Sequence, residues 1–200
     1  MKYCKTYKPA IQDVLMRLFI AIDLDDETRG KISEVIRGFA DRGFDVKWVE
    51  PGNIHLTLKF LGEVHEEGIK EIESRISDAV KGVKRFRMSM CDVGYFGSHT
   101  YVKVIWIGVK EGCDKLVELS GALNRELSYV RKDDHVPSPH ITIGRVRSGR
   151  DREVLLKGIE MVSHVKFGEV DVKEIKLKSS VLGREGPVYN DVKAFRLGEP

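Results

Sequence analysis

Two short runs of this chain share one alternation of apolar and polar positions: Asn53-Ile-His-Leu-Thr-Leu-Lys-Phe-Leu61 and Pro139-His-Ile-Thr-Ile-Gly-Arg-Val146. Side chains of an extended strand alternate between its two faces, so His55 and Thr57 share one face while Ile54, Leu56, Leu58 and Phe60 fill the other. His140 and Thr142 repeat the arrangement against Ile141 and Ile143. With six His and five Thr in 200 residues, chance supplies about 0.15 His-x-Thr pairs, and the chain has two. A single copy reads equally well as a strand with a solvated His and a β-branched Thr; the pair points to a shared purpose.

The rest of the pattern predicts elements around these strands. Residues 1–15 lack clear alternation and form an extension with no assigned role. Met16-Arg-Leu-Phe-Ile-Ala-Ile-Asp-Leu24 then begins abruptly as a buried strand, and 16–200 is expected to form one bilobed domain. Asp25 or Asp26 can cap a helix carrying Ile32, Val35, Ile36 and Phe39 until Gly43. An extended piece near 46–49 leads through Pro51-Gly52 into the first motif strand, which Gly62 ends. Ile69, Ile72, Ile76 and Val80 mark a second helix closed by Gly82. Segments 85–95 and 101–109 read as a hairpin broken at Gly94 and Gly97. Leu116, Leu119, Leu123 and Leu127 predict a third helix, His135-Val-Pro-Ser-Pro139 a stiff extended approach, and 152–161 a short fourth helix. Extended segments 166–181 and 188–197 follow, joined through Gly183 and Gly186-Pro187. Hairpins and strand pairs, rather than strict strand–helix alternation, predict an α+β fold of antiparallel sheets with helices on one face. The motifs lie 85 residues apart, each after helix and extended segments, which implies two similar halves facing each other across a cleft.

Composition narrows the class. A net charge of +3 neither requires nor excludes nucleic acid. Lys81, Lys84, Arg85 and Arg87 form one basic run; Arg145, Arg147, Arg150 and Arg152 form another directly after the second motif. Charged residues make up 32% of the chain, with one Gln and three Asn, a usage like that of thermophiles. Cys4, Cys91 and Cys113 are an odd set without metal-knuckle spacing, expected as buried thiols in a reducing compartment. The apolar run 18–22 is hemmed by Arg17 and Asp23, so neither a leader sequence nor a membrane span is expected and a cytoplasmic protein is.

Two imidazoles on opposing strands can supply one neutral base and one protonated acid near neutrality. Each Thr, two positions along, can give its hydroxyl to a phosphoryl oxygen. The set suits phosphodiester chemistry without a metal or other cofactor. No Gly-x-Ser-x-Gly elbow or Walker loop is present. Zinc held by His55, His140 and a third His is the metal alternative, although no His pair has helical ligand spacing near acids. His65, His99, His135 and His164 carry no motif and are expected at the surface.

Together with the first strand and both motif runs, Val104-Ile-Trp-Ile-Gly108 and Ser180-Val-Leu-Gly-Arg-Glu-Gly-Pro-Val-Tyr189 resemble the RNA 2′,3′-cyclic phosphodiesterases, also called 2′-5′ RNA ligases, of the two-histidine phosphoesterases. The similarity runs from Met16 to the C-terminus. It implies a bilobed α+β fold with a central cleft, and hydrolysis of RNA 2′,3′-cyclic phosphate ends to 2′-phosphates, with ligation as a side activity. By motif, His55 would protonate the leaving 3′ oxygen, His140 would activate water, and Thr57 and Thr142 would hold the phosphate. Arg145 matches a substrate-contacting arginine, yet strict alternation puts it beside Ile141 and Ile143, so that role requires a twist or a bulge at Gly144. Phe19 matches a first-strand aromatic that stacks on a base, though its own setting reads as core. The expected partner is RNA ending in a cyclic phosphate, or a related nucleotide, with no membrane and no obligate protein partner. The competing function is a non-catalytic RNA-end or nucleotide-binding module using the same His and Thr.

Overall fold

Asp25 separates the first strand from the first helix. Its backbone is extended and its carboxylate accepts the Thr28 amide at 2.7 Å, so β1 (Leu15–Asp23) passes directly into α1 (Asp26–Ala40). The structure, a computed structural model, describes residues 15–134, 137–184 and 186–199. Along these follow β2 (Val46–Trp48), β3 (His55–His65), α2 (Ile69–Val80), β4 (Phe86–Ser98), β5 (Tyr101–Val109), α3 (Cys113–Glu126), β6 (His140–Val146), α4 (Arg152–Met161), β7 (Lys166–Val172), β8 (Glu174–Leu182) and β9 (Pro187–Arg196).

The strands form two antiparallel sheets, ordered β3-β1-β8-β9 and β2-β6-β5-β4-β7. Helix α3 packs on β3 and on α2, which reaches β9; α1 packs against β2, β6 and β7, and α4 against β4. Of the helical stripes the sequence marks, Ile32, Ile36 and Phe39, Ile72 and Ile76, and Leu116, Leu119 and Leu123 are buried; in the fourth helix Leu155 and Ile159 are buried as well. Residues 18–22 are buried without alternation because β1 is an inner strand flanked on both sides. The two motif strands, β3 from one sheet and β6 from the other, run close together without pairing.

The α+β fold with two antiparallel sheets is as expected, and several details differ. The sheets are not successive halves: one takes β1 and β3 together with the last two strands, while β2 joins the other. The extended segment 166–181 breaks at Lys173, on either side of which β7 and β8 belong to different sheets. Gly94 does not end a strand; β4 runs through it, and a Cβ there would lie 2.5 Å from the Trp106 ring, so glycine gives the indole its seat. Leu15, assigned to the extension, pairs with His65 as the first residue of β1, and the remainder of the extension lies outside the described residues. Cys91 and Cys113 are free but half-buried rather than buried, and Cys4 is outside the described residues.

Gly144 shows how tightly the second motif strand is held. It pairs with Trp48 across β2–β6, and an added Cβ would approach the Trp48 and Val46 side chains to 2.8 Å. Gly144→Ala is therefore expected to cost about 1–3 kcal/mol through overpacking, read as a lower urea midpoint at unchanged slope. An unchanged midpoint would mean that Trp48 swings aside freely.

Candidate active site

A turn of 3-10 helix at Pro51–Asn53 aims the first motif into its strand. Asn53 then serves twice: its amide side chain donates to the Pro187 carbonyl at 2.9 Å, fixing the start of β9, and its own carbonyl accepts from His55 Nδ1 at 2.7 Å. A carbonyl can only accept, so the neutral His55 ring carries its proton on Nδ1 and leaves Nε2 with a lone pair. Nε2 lies 2.9 Å from Thr57 Oγ1. The second motif repeats the device: His140 Nδ1 donates to the Ser138 carbonyl at 2.7 Å, again two residues upstream. His55, Thr57, His140 and Thr142 all line one cleft of about 860 Å³, a size suited to a nucleotide.

Arg145 joins them. In β6, Trp106 pairs with Thr142 and Ile105 with Gly144, leaving Ile143 opposite no residue of β5. That extra residue reverses the alternation: Ile141 and Ile143 stay in the core, while Arg145 is exposed and lines the cleft beside His140 and Thr142. The irregularity lies at Ile143, one residue before the Gly144 expected from the sequence, which is itself paired with Ile105. The same irregularity occurs in β3, where Ala21 pairs with Thr57 and Ile20 with Lys59, so that Leu58 is opposite neither.

Phe19 lies at the site with only 3% of its surface exposed. Its ring is 5.1 Å from His55, 4.9 Å edge-on from Tyr189 and 6.3 Å from Phe60. It floors the His55 pocket, and a base could stack on it only by displacing one of these rings. Tyr189, which carried no predicted role, stands edge-on to His55 at 5.3 Å and lines the cleft. Phe96 stands edge-on to His140 at 4.8 Å. Period-two patterning gives no sign of either, because both contacts join strands distant in sequence.

Of the two basic runs, Arg145 alone lines the cleft. Arg85 pairs with Glu199, Arg87 with Glu169 and Asp171, Arg150 with Asp151 and Arg152 with Glu153. His65, His99 and His164 are exposed as expected, and His135 lies outside the described residues. Among the described residues no three His, Cys, Asp or Glu gather as metal ligands.

Electrostatics distinguishes His55. Burial pushes its pKa below the ordinary 6.5; the Asn53 carbonyl opposes that, nearby Lys178 adds to it, and Asp23 opposes it. Lys178 belongs to a set of ion pairs behind the site: its Nζ lies 2.8 Å from Asp23 and 2.6 Å from Asp191, and Lys176 Nζ lies 2.9 Å and 2.7 Å from the same two carboxylates. Burial would raise the Asp23 carboxyl, but the two ammonium groups outweigh it and hold Asp23 below its usual range. The Tyr189 hydroxyl is pushed up by burial, with Arg145 pulling the other way, so it stays protonated and able to donate.

A cleft presenting two imidazole Nε2 atoms, two Thr hydroxyls and a guanidinium is equipped for acid–base chemistry on a phosphate ester, and comparison with known proteins agrees. The chain matches the LigT like Phosphoesterase family twice, over residues 22–106 and 107–189, each match containing one His-x-Thr motif. It belongs to that family of phosphoesterases. It is 36% identical over 185 residues to the RNA 2′,3′-cyclic phosphodiesterase of Methanothermobacter thermautotrophicus, covering 91% of this chain and 99% of the relative. With the enzyme of the same name from Thermotoga maritima it is 40% identical over 178 residues, 87% and 91% of the two chains. Among solved structures, TT0787 of Thermus thermophilus superposes with a TM-score of 0.77 at 27% identity, covering 92% of this chain and 99% of the other. E. coli LigT complexed with 3′-AMP superposes with a TM-score of 0.69 at 26% identity, covering 93% and 100%.

The lowered pKa of His55 has a consequence for stability. Below pH 6.5 the unfolded chain takes up a proton that the folded one resists, so this contribution is complete above that pH and is lost as pH falls toward the folded pKa. Wild type should lose stability more steeply on acidification below pH 6.5 than His55→Gln, followed by urea midpoints at each pH. Parallel curves would show that His55 is not desolvated in solution.

Proposed function

We propose that the protein hydrolyses RNA ends bearing a 2′,3′-cyclic phosphate to 2′-phosphate ends, with His55 and His140 as a metal-independent acid–base pair. The observation that carries this reading is the repeated histidine setting: each ring gives its Nδ1 proton to a carbonyl two residues upstream, leaving Nε2 unprotonated in a ring that lines one cleft. The curated relatives named for this activity support the substrate class.

In the proposed step the His140 Nε2 lone pair takes a proton from water as the water oxygen attacks phosphorus. The bond from phosphorus to the 3′ oxygen breaks, and protonated His55 delivers its Nε2 proton to that oxygen. A 2′-phosphomonoester and a 3′-hydroxyl remain, and proton exchange with solvent resets the pair. Thr57, Thr142 and Arg145 face the non-bridging oxygens, where hydroxyl and guanidinium donors balance the developing charge. A depressed pKa makes protonated His55 a stronger acid toward the leaving oxygen, and the incoming phosphate anion favours its protonation. An RNA 5′-hydroxyl in place of water would form a 2′-5′ phosphodiester, which accounts for ligation by the same groups. The free thiols of Cys91 and Cys113 agree with a cytoplasmic setting.

His55→Ala and His140→Ala should each lower turnover of an RNA ending in 2′,3′-cyclic phosphate by at least about a hundredfold, the scale of losing one positioned acid or base, with the unfolding midpoint showing a folded protein. Near-wild-type turnover in either variant would eliminate the two-histidine mechanism. Binding of such RNA without turnover by the wild type would instead identify a binding module.

A further inference from the structure

Each imidazole of the pair is met at a right angle by one aromatic ring. Phe96 stands 4.8 Å from His140 at 89°, and Tyr189 stands 5.3 Å from His55 at 88°. Phe96 shows that this contact requires only a ring. Tyr189 does the same packing and carries a hydroxyl besides, so the hydroxyl calls for a separate account.

Tyr189 lies on β9, at one edge of its sheet, with β8 and β1 between it and the strand of His55. Its ring leans over both, meeting Phe19 at 4.9 Å as well as His55. Asn53 couples the two residues. Its side-chain amide donates to the Pro187 carbonyl at 2.9 Å, two residues before Tyr189, and its own carbonyl accepts from His55 Nδ1 at 2.7 Å. One residue therefore ties the start of β9 to the His55 ring. Tyr189 is half-buried and lines the cleft, and among the described residues its hydroxyl has no hydrogen-bond partner. The Thr57 hydroxyl, by contrast, lies 2.9 Å from His55 Nε2. Arg145 belongs to the other sheet and acts on the Tyr189 hydroxyl electrostatically across the cleft. A donor beside the imidazole and within the field of the guanidinium is placed for the non-bridging oxygens of a phosphate that both engage. Burial keeps the phenol protonated, so it donates there without adding charge.

Resting on the cyclic-phosphate reading above, we propose that Tyr189 is a further catalytic residue, its hydroxyl donating to one non-bridging phosphoryl oxygen as charge develops there in the transition state. The test removes the hydroxyl from the protein and the oxygen from the substrate. Tyr189→Phe keeps the ring. Its kcat and KM are measured on a trinucleotide ending in 2′,3′-cyclic phosphate and on the two cyclic phosphorothioate diastereomers, each with sulfur, a poor acceptor, at one non-bridging position. Tyr189→Phe should lower kcat for the oxygen substrate roughly ten- to a hundredfold, the scale of a hydrogen bond to a charged acceptor, with KM little changed. One diastereomer, whose sulfur already forfeits the contact, should be turned over at nearly the same rate by variant and wild type. Tyr101→Phe, which removes an exposed hydroxyl outside the cleft lining, should match wild type on all three substrates. Comparing substrates within one preparation makes the pattern independent of the fraction folded. Turnover of the oxygen substrate equal to wild type, or an equal fall on all three substrates, would overturn the contact while leaving the hydrolytic activity standing. No turnover by the wild type would refute the activity, and the contact would then be judged by calorimetric titration with a trinucleotide ending in 2′-phosphate. Weaker binding by Tyr189→Phe supports it, and binding equal to wild type overturns it.

Discussion

Each histidine's Nδ1 proton goes to a backbone carbonyl two residues upstream, Asn53 for His55 and Ser138 for His140, and the acid–base roles proposed for the two rings depend on that bond. It fixes the tautomer, holds the ring against rotation and leaves Nε2 as the atom that gives or takes a proton. Proline supports both geometries. Pro51 opens the short helical turn that presents Asn53, and Pro139 lies between Ser138 and His140, keeping the approach extended. Since the partner is backbone, no separate carboxylate is needed to orient either ring.

Strand irregularity decides which side chains accompany the histidines. A regular β6 would send Arg145 into the core with Ile141 and Ile143, and a regular β3 would place Lys59 in the cleft with Thr57. One unpaired residue in each strand, Ile143 and Leu58, breaks the alternation, and Arg145 is exposed in the cleft while Lys59 is buried at its wall. The guanidinium reaches the cleft, while the ammonium is buried against Asn124 of α3 and Asp133 of the segment after it. The ion pairs among Asp23, Lys176, Lys178 and Asp191 then rigidify the floor behind His55 and bias its proton affinity.

Much of this was legible in the sequence because the relevant signals are local. The duplicated His-x-Thr, a cap at Asp25 or Asp26, the apolar stripes of the first three helices and the 152–161 helix follow from spacing within a few residues. Family resemblance supplied Arg145, and alternation then showed that its role requires a twist or a bulge at Gly144, one residue after the place where the irregularity lies. What escaped depends on contacts between distant segments. Tyr189 and Phe96 meet the histidines only after β9 and β4 take their places, and the packing of Phe19 among His55, Tyr189 and Phe60 likewise joins distant segments. The passage from one sheet to the other at Lys173 leaves no mark in an extended run, since both sheets accept the same alternation. Interleaving of the sheets likewise follows from long-range pairing that no local pattern encodes.

The mechanism stands or falls on which phosphorus–oxygen bond breaks. RNA ending in 2′,3′-cyclic phosphate, incubated with the enzyme in ¹⁸O-water, gives a product whose phosphate position can be assigned by ³¹P NMR and whose label can be counted by mass spectrometry. With His55 on the 3′ oxygen and His140 on the attacking water, the phosphate remains at the 2′ position and carries one ¹⁸O. A 3′-phosphate as the main product would contradict the assigned pose.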